Sequence, residues 1–266
     1  MITIAEKINA TIPSVKKIIE TRDRDKLLEL ARVQSEAKAD FLDVNVGTGS
    51  GGQQDEINSM RWAVTTIQEE IETPLCIDSA DPDVLAEGLA ARAGRPSLIN
   101  STKGSDKHLN AVVPLAAKYG QPLVGLAMDE KGIPVTVSAR VAACSKIVNI
   151  CGKHQVGLEN VFFDPLVLPV STDVKNGMVT LETIRALKKE FPKARSVMAV
   201  SNVSFGLPER KVFNTAFLHL AIFAGLDAAI LNVLDTDLMG AVKTAEAIMG
   251  RDRHCRKYAR FWRNNR

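Results

Sequence analysis

The sequence predicts a single (β/α)8 barrel, and three observations carry that prediction. The chain has 266 residues, close to the roughly 250 of one such barrel. Short apolar runs alternate with amphipathic stretches throughout, the order of an α/β fold with right-handed crossovers. Eight such runs occur, mostly apolar without alternation, as parallel strands covered on both faces are.

The runs are Ile2–Ile8, Phe41–Val46, Pro74–Asp78, Ser97–Ser101, Pro122–Met128, Val161–Asp164, Ser196–Asn202 and Ala228–Val233. The first connection, 9–40, is the long one. After the second run comes a glycine loop, Gly47-Thr48-Gly49-Ser50-Gly51-Gly52, which Gln53-Gln54-Asp55-Glu56 separates from a helix over 56–71. After the third, Asp81-Pro82 is an N-cap followed by proline at the first helical position. Ser105 is the cap after the fourth. Asp129 and Asp235 sit in ordinary turn or cap contexts. The sixth run leads into Asp164-Pro165-Leu166-Val167-Leu168-Pro169, too extended to begin a helix at once. Leu207-Pro208 precedes a helix over 210–224, in which Phe213, Phe217, Leu220 and Ala224 form one apolar face. Gly225-Leu226-Asp227 stops that helix before the last strand. No internal linker is present, so residues 1–250 read as one barrel and 251–266 as a basic C-terminal tail or final helix.

Hydrophobic residues make up 45% of the chain and charged residues 24%, ordinary globular values that argue against disorder. The net charge of +3 conceals an asymmetry. Residues 251–266 hold seven Arg or Lys against one Asp, so the other 250 residues carry a net −3. With no basic face on the barrel body to extend the tail, nucleic acid is not the expected partner. Cys76, Cys144, Cys151 and Cys255 form no C-x-x-C pair, which excludes a zinc pattern. Met1–Thr11 carries no secretory signal, so the thiols read as reduced and cytoplasmic. The most apolar stretch, 216–234, is interrupted by His219, Asp227 and Asn232, which argues against a membrane span.

Chemistry in this fold sits at the carboxyl ends of the strands. Those ends carry Asn9, Asp43 with Asn45, Asp78, Asn100, Asp129, Asp164, Asn202, and Asn232 with Asp235, and none carries histidine or cysteine. Strand-end Asp and Asn often cap the next helix. Asp78, Asn100, Asp164 and Asn202 have no such local task, because better caps or prolines follow them. A ring of carboxylates and amides suits a flat, nitrogen-rich heterocycle, since carboxylate accepts from N–H groups and amide both donates and accepts. A pterin and a purine fit this description equally.

At these residues the sequence resembles the pterin-binding methyltransferase family, above all the methyltetrahydrofolate:corrinoid methyltransferases. The matching segments are Asp43-Val44-Asn45, Ile77-Asp78-Ser79, Asn100-Ser101, Asp164 to Pro169, Ser201-Asn202-Val203-Ser204-Phe205-Gly206-Leu207-Pro208, and Ala224 to Ile230. The resemblance covers essentially the whole barrel, and its sixth- and seventh-strand motifs are the most specific. It implies that Asp78, Asn100 and Asp164 hold the pterin ring, with Asp43 and Ser201 beside them. It implies that Asn202 serves methyl transfer near N5 and that Arg210 contacts the folate or the corrinoid edge. The implied substrates are methyltetrahydrofolate or tetrahydrofolate and a corrinoid (cobalamin) on a separate partner protein, because the chain has no D-x-H-x-x-G cobalamin motif. No tightly bound metal is implied, and family members are commonly homodimers. Asn202 cannot itself be a proton source, since an amide does not titrate.

Other chemistries meet specific obstacles in this sequence. A dihydropteroate-synthase-like enzyme would need Arg and His near the eighth strand, where Ala229-Ile230-Leu231-Asn232-Val233-Leu234 has neither. The glycine loop matches G-x-G-x-x-G, but it follows the second strand and puts Asp55-Glu56 where a pyrophosphate would sit. A Schiff-base aldolase would need an inward lysine, and Lys103 and Lys175 lie in loops. A non-catalytic folate- or corrinoid-binding subunit of a methyltransferase complex would carry the same residues.

Overall fold

The computed structural model describes residues 1–265. Its strands β1 (Ile2–Asn9), β2 (Phe41–Asn45), β3 (Leu75–Asp78), β4 (Ser97–Lys103), β5 (Leu123–Leu126), β6 (Val161–Asp164), β7 (Arg195–Ala199) and β8 (Ala228–Leu231) close into a parallel barrel in chain order. The fold is therefore the single (β/α)8 barrel that the sequence predicts. Around it lie α1 (Pro13–Thr21), α2 (Arg24–Glu36), α3 (Gln53–Glu70), α4 (Pro82–Ala91), α5 (Asp106–Tyr119), α6 (Val137–Lys153), α7 (Asn176–Glu190), α8 (Arg210–Ala224), α9 (Thr236–Ile248) and α10 (Arg256–Asn264). Among the described residues, no helix is long and apolar enough to cross a membrane.

The core has two compartments. Most buried side chains pack between strands and helices. A smaller set, Ile4, Cys76, Leu98, Val124, Phe162, Val197 and Ala228, fills the lumen as a dry plug. Side chains alternate along a strand, so the residue two further on from each plug residue also faces inward. Those residues are Glu6, Asp78, Asn100, Leu126, Asp164, Ala199 and Ile230, and Asp43 joins them from β2 through its pairing with Cys76. One alternation step thus separates the plug from a largely polar ring.

Two bulges enlarge this ring. Between Ala5 and Ile8, β1 carries one residue more than its partner β2. Between Asn100 and Thr102, β4 does the same against β5. A bulge lets successive side chains share a face and leaves backbone groups out of the ladder. Glu6 with Lys7, and Asn100 with Ser101, accordingly line one cavity as adjacent pairs. The Lys7 N–H left out of the ladder donates to Gln34 Oε1 at 2.9 Å. Gln34 is fully buried in α2, and its Nε2 donates to Leu30 O.

Several local expectations are corrected. Strand β7 ends at Ala199, because its pairing with β8 stops there, and Val200–Ser204 turns into a 3-10 helix. Ser201 and Asn202 therefore stand on a turn rather than on a strand. Helix α3 starts at Gln53, not at 56, because the Asp55 carboxylate accepts the Gly52 N–H at 2.9 Å and closes the first turn on the glycine loop. Ser105 precedes α5 without a side-chain capping bond. On α8, Phe217 is buried, but Phe213 and Leu220 are 39% and 54% exposed. The helix turns Leu218, Ala221 and Ile222 inward instead.

The basic segment folds as α10 against α9. Gly240 is required there, since a Cβ would lie 2.8 Å from the Trp262 ring. Asp252 accepts the Lys257 and Tyr258 N–H groups and caps the new helix. Asp81 and Asp235 cap α4 and α9 as expected.

Gln34→Leu leaves the buried Lys7 N–H without an acceptor. Its unfolding free energy in urea is expected to fall by about 1–3 kcal/mol, with the denaturant slope unchanged.

Candidate active site

The polar ring opens into a cavity of about 580 Å³ at the carboxyl ends of the strands. All seven residues singled out from the sequence line it: Asp43, Asp78, Asn100, Asp164, Ser201, Asn202 and Arg210. Leu126, Ala199 and Ile230 supply apolar wall. The mixture suits a flat ring with a polar edge.

Each carboxyl has its own setting. Asn45 Nδ2 donates to Asp78 Oδ2 at 2.8 Å, and Asn45 Oδ1 accepts the Gly47 N–H at 3.1 Å. The amide thereby carries the orientation of the glycine loop to Asp78. Burial raises Asp78 to about 6 despite that bond. Asp43 is 3% exposed, and burial with the Asp78 charge beside it pushes its carboxyl well above the usual range. Asn100 Nδ2 reaches Asp43 Oδ1 at 3.5 Å.

Asp164 does have a local partner, contrary to the sequence reading. Its Oδ1 accepts the Leu166 N–H at 2.7 Å across the proline segment. Leu166 holds a left-handed φ of +66° there. Burial nonetheless raises Asp164 to about 6. Arg140, fully buried on α6, braces the same segment. Its Nη1 donates to Pro165 O at 2.7 Å and Leu166 O at 2.9 Å, and its Nε to Pro134 O. The guanidinium also favours the ionised form of Asp164.

The opposite wall is the 200–204 turn. Arg210 Nη2 donates to Ser201 O at 2.8 Å and its Nε to Ser204 Oγ at 3.1 Å. Ser204 Oγ is in turn 2.6 Å from Asn214 Oδ1. These bonds fix the turn while the exposed Asn202 amide stands at the mouth. Arg210 thus ties down the backbone of the turn, a task the sequence reading did not assign it.

Two residues of importance escaped the sequence reading. Glu6 belongs to the ring, and the inward register from Ile4 would have found it. Arg140 falls on the stripe of Cys144, Ile147 and Cys151 at helical spacing, all buried. A cation on that stripe signals a buried anchoring task. The glycine loop, with Gly49 and Gly51 at φ of +67° and +85°, stands outside the ring and lines a separate hollow with Arg22 and Asp55.

Comparison with known proteins gives a consistent result. A family model described as pterin binding enzyme matches residues 5–232. A methylcorrinoid:tetrahydrofolate methyltransferase of Eubacterium limosum is 35% identical over 100% of this chain and 97% of its own length. Methionine synthase of Mycobacterium tuberculosis is 29% identical over 87% of the chain, which spans only 20% of that longer protein. Among solved structures, dihydropteroate synthase of Yersinia pestis with a pterine-sulfa conjugate superposes with a TM-score of 0.70 at 16% identity, covering 94% and 93% of the two chains. The 7,8-dihydropteroate synthase of Vibrio fischeri gives 0.72 at 14% identity with the same coverage. At such identities these structures speak for the barrel alone.

The Asp164 shift has a consequence for stability. Its folded pKa of about 6 exceeds the ordinary 3.8, so between those values the folded state binds more protons than the unfolded one. Stability held below the lower value is lost as pH rises through the upper one. Asp164→Asn keeps an acceptor for the Leu166 N–H and removes the buried charge. The variant is expected to exceed the parent by about 1–2 kcal/mol near neutrality and to match it below about pH 4. Urea unfolding at both pH values checks this; an advantage independent of pH contradicts it.

Proposed function

The chain belongs to the pterin-binding enzyme family, and we propose that it is a methyltransferase moving the N5 methyl group between tetrahydrofolate and the cobalt of a corrinoid carried by a partner protein. The observation that carries this reading is the end-to-end relationship to the E. limosum methyltransferase. The name of that relative supports transfer from methylcorrinoid to tetrahydrofolate as the working direction. The same site catalyses both senses.

In this reading Asp78, Asn100 and Asp164 grip the pterin edge, with Asp43 fixing Asn100 from beneath and Ser201 on the facing wall. The carboxylates accept from ring N–H and amino groups. The apolar wall of Leu126, Ala199 and Ile230 covers a ring face. A methyl group leaves N5 readily only when that nitrogen departs neutral, so its positive charge must be supported as the N–C bond breaks. Asn202 supports it by hydrogen bonding at N5. The partner's corrinoid would supply the cobalt that exchanges the methyl group with N5, and the chain's contribution would be to hold the pterin and its methyl position at the open mouth of the cavity.

A separate corrinoid protein, a homodimer and a cytoplasmic location complete the reading. The homodimer draws support from an apolar groove between α7 and α8, where Val174, Met178 and Leu220 are exposed beside Phe213. A non-catalytic binding subunit would hold methyltetrahydrofolate without turnover.

Mixing the chain with methyltetrahydrofolate and cob(I)alamin is expected to convert the Co(I) spectrum to that of methylcobalt. Binding without conversion would leave only the binding-subunit reading. Asn202→Ala should lower single-turnover rate by about 100-fold with little effect on folate affinity. Asp78→Asn should weaken folate binding by about 1–3 kcal/mol, seen by isothermal titration. The reverse pattern refutes the two assignments.

A further inference from the structure

Methyl transfer at N5 requires a proton, and the residues assigned above do not supply it. When methyl leaves the pterin, the N5–CH3 electron pair stays on nitrogen and the Co(I) pair forms the new Co–C bond. Nitrogen must take up one proton no later than that bond breaks if it is to depart neutral, and in the opposite sense it must lose one. The Asn202 amide cannot exchange that proton. Asp78 and Asp164 are tied to Asn45 and to the Leu166 N–H, and Asp43 sits in the floor beneath Asn100.

Glu6 is the ring carboxyl left without a task. It faces the cavity from the β1 bulge, at the level of Asp43. Among the described residues, no protein group donates a hydrogen bond to its carboxylate and no cation pairs with it. Arg210, which secures the Asn202 turn, still acts on Glu6 through its charge. The Glu6 charge in turn acts on Asp43, which lines the same cavity from β2. The carboxyl therefore faces the cavity that Asp43 and Asn202 also line.

Resting on the methyl-transfer reading, we infer that Glu6 is the acid–base residue that delivers the N5 proton when methyl leaves the pterin and takes it back in the reverse reaction. Solvent at the open mouth restores the proton to the carboxylate after each turnover. The charges around the group fit this use. Lys7 on its own strand and Arg210 from α8 favour the carboxylate, Asp43 on β2 is itself held protonated by burial and by its acidic neighbours, and β8 presents only Ile230. Burial outweighs the two cations and raises the carboxyl above its ordinary range. A group so placed keeps its proton closer to neutrality than a free glutamate, as a donor to an amine must.

The test uses the full chain with methyltetrahydrofolate and cob(I)alamin in single turnover across the mildly acidic to neutral range. Failure of the wild-type chain to form methylcobalt sinks the methyl-transfer reading itself. With an active wild type, methyl transfer to cobalt should slow as pH rises through the Glu6 range. Glu6→Gln is expected to be about 100-fold slower or more, to lack that pH-dependent limb, and to keep folate affinity within a few-fold. Asp43→Asn should retain the limb. A Glu6→Gln chain with wild-type rate and profile, or with a loss confined to folate affinity, overturns the assignment. Should Glu6→Gln not fold by far-UV circular dichroism, Glu6→Asp decides: a displaced limb supports the role, and an unmoved one overturns it.

Discussion

Closure of the barrel is the constraint on which everything else depends. Eight parallel strands pair around the circle and leave no edge, so backbone groups in the wall find their partners next door except at the two bulges, where the Lys7 N–H turns to Gln34. Helices cover the outer face, and the plug from Ile4 to Ala228 fills the inner one. Polar side chains can then reach solvent only beyond the last plug layer. The alternation of side chains concentrates them into a single collar. The carboxyls there are largely withdrawn from water, and withdrawal disfavours their charged forms. Asn45, the Leu166 N–H and Arg140 each offset part of that cost, which makes them as much part of the site as the groups they support.

The two halves of the collar are held differently. Asp43, Asp78, Asn100 and Asp164 are borne on strands, where the barrel sets their positions. Ser201 and Asn202 stand on a short 3-10 turn that depends on Arg210 and Ser204. The rigid half suits gripping a ring of fixed shape. The half bonded by side chains suits the place where bonds change and a second large molecule approaches.

The fold is almost fully legible in the sequence because each strand is a compact apolar run and each crossover a longer amphipathic one. The ring carboxyls and amides are legible for the same reason, as polar residues ending apolar runs. Glu6 is not, because it lies inside its strand; only the register set by Ile4 reveals its direction. Arg140 is masked by the assumption that a charge on a helix faces water. The end of β7 is hidden because Val200 and Val203 continue the apolar run, whereas the pairing with β8 has already stopped. Phe213 and Leu220 show that periodicity identifies an apolar stripe without naming what covers it.

Two carboxyls that change charge near pH 6 also give the vacant and occupied collars different proton inventories. A heterocycle that offers N–H groups to both draws them into their ionised forms and expels hydrogen ions into the medium. The calorimetric heat of association then contains the ionisation enthalpy of whichever buffer absorbs them. On the proposed reading acidification opposes occupancy by mass action, so the desolvation that shapes the collar couples ring binding to ambient acidity.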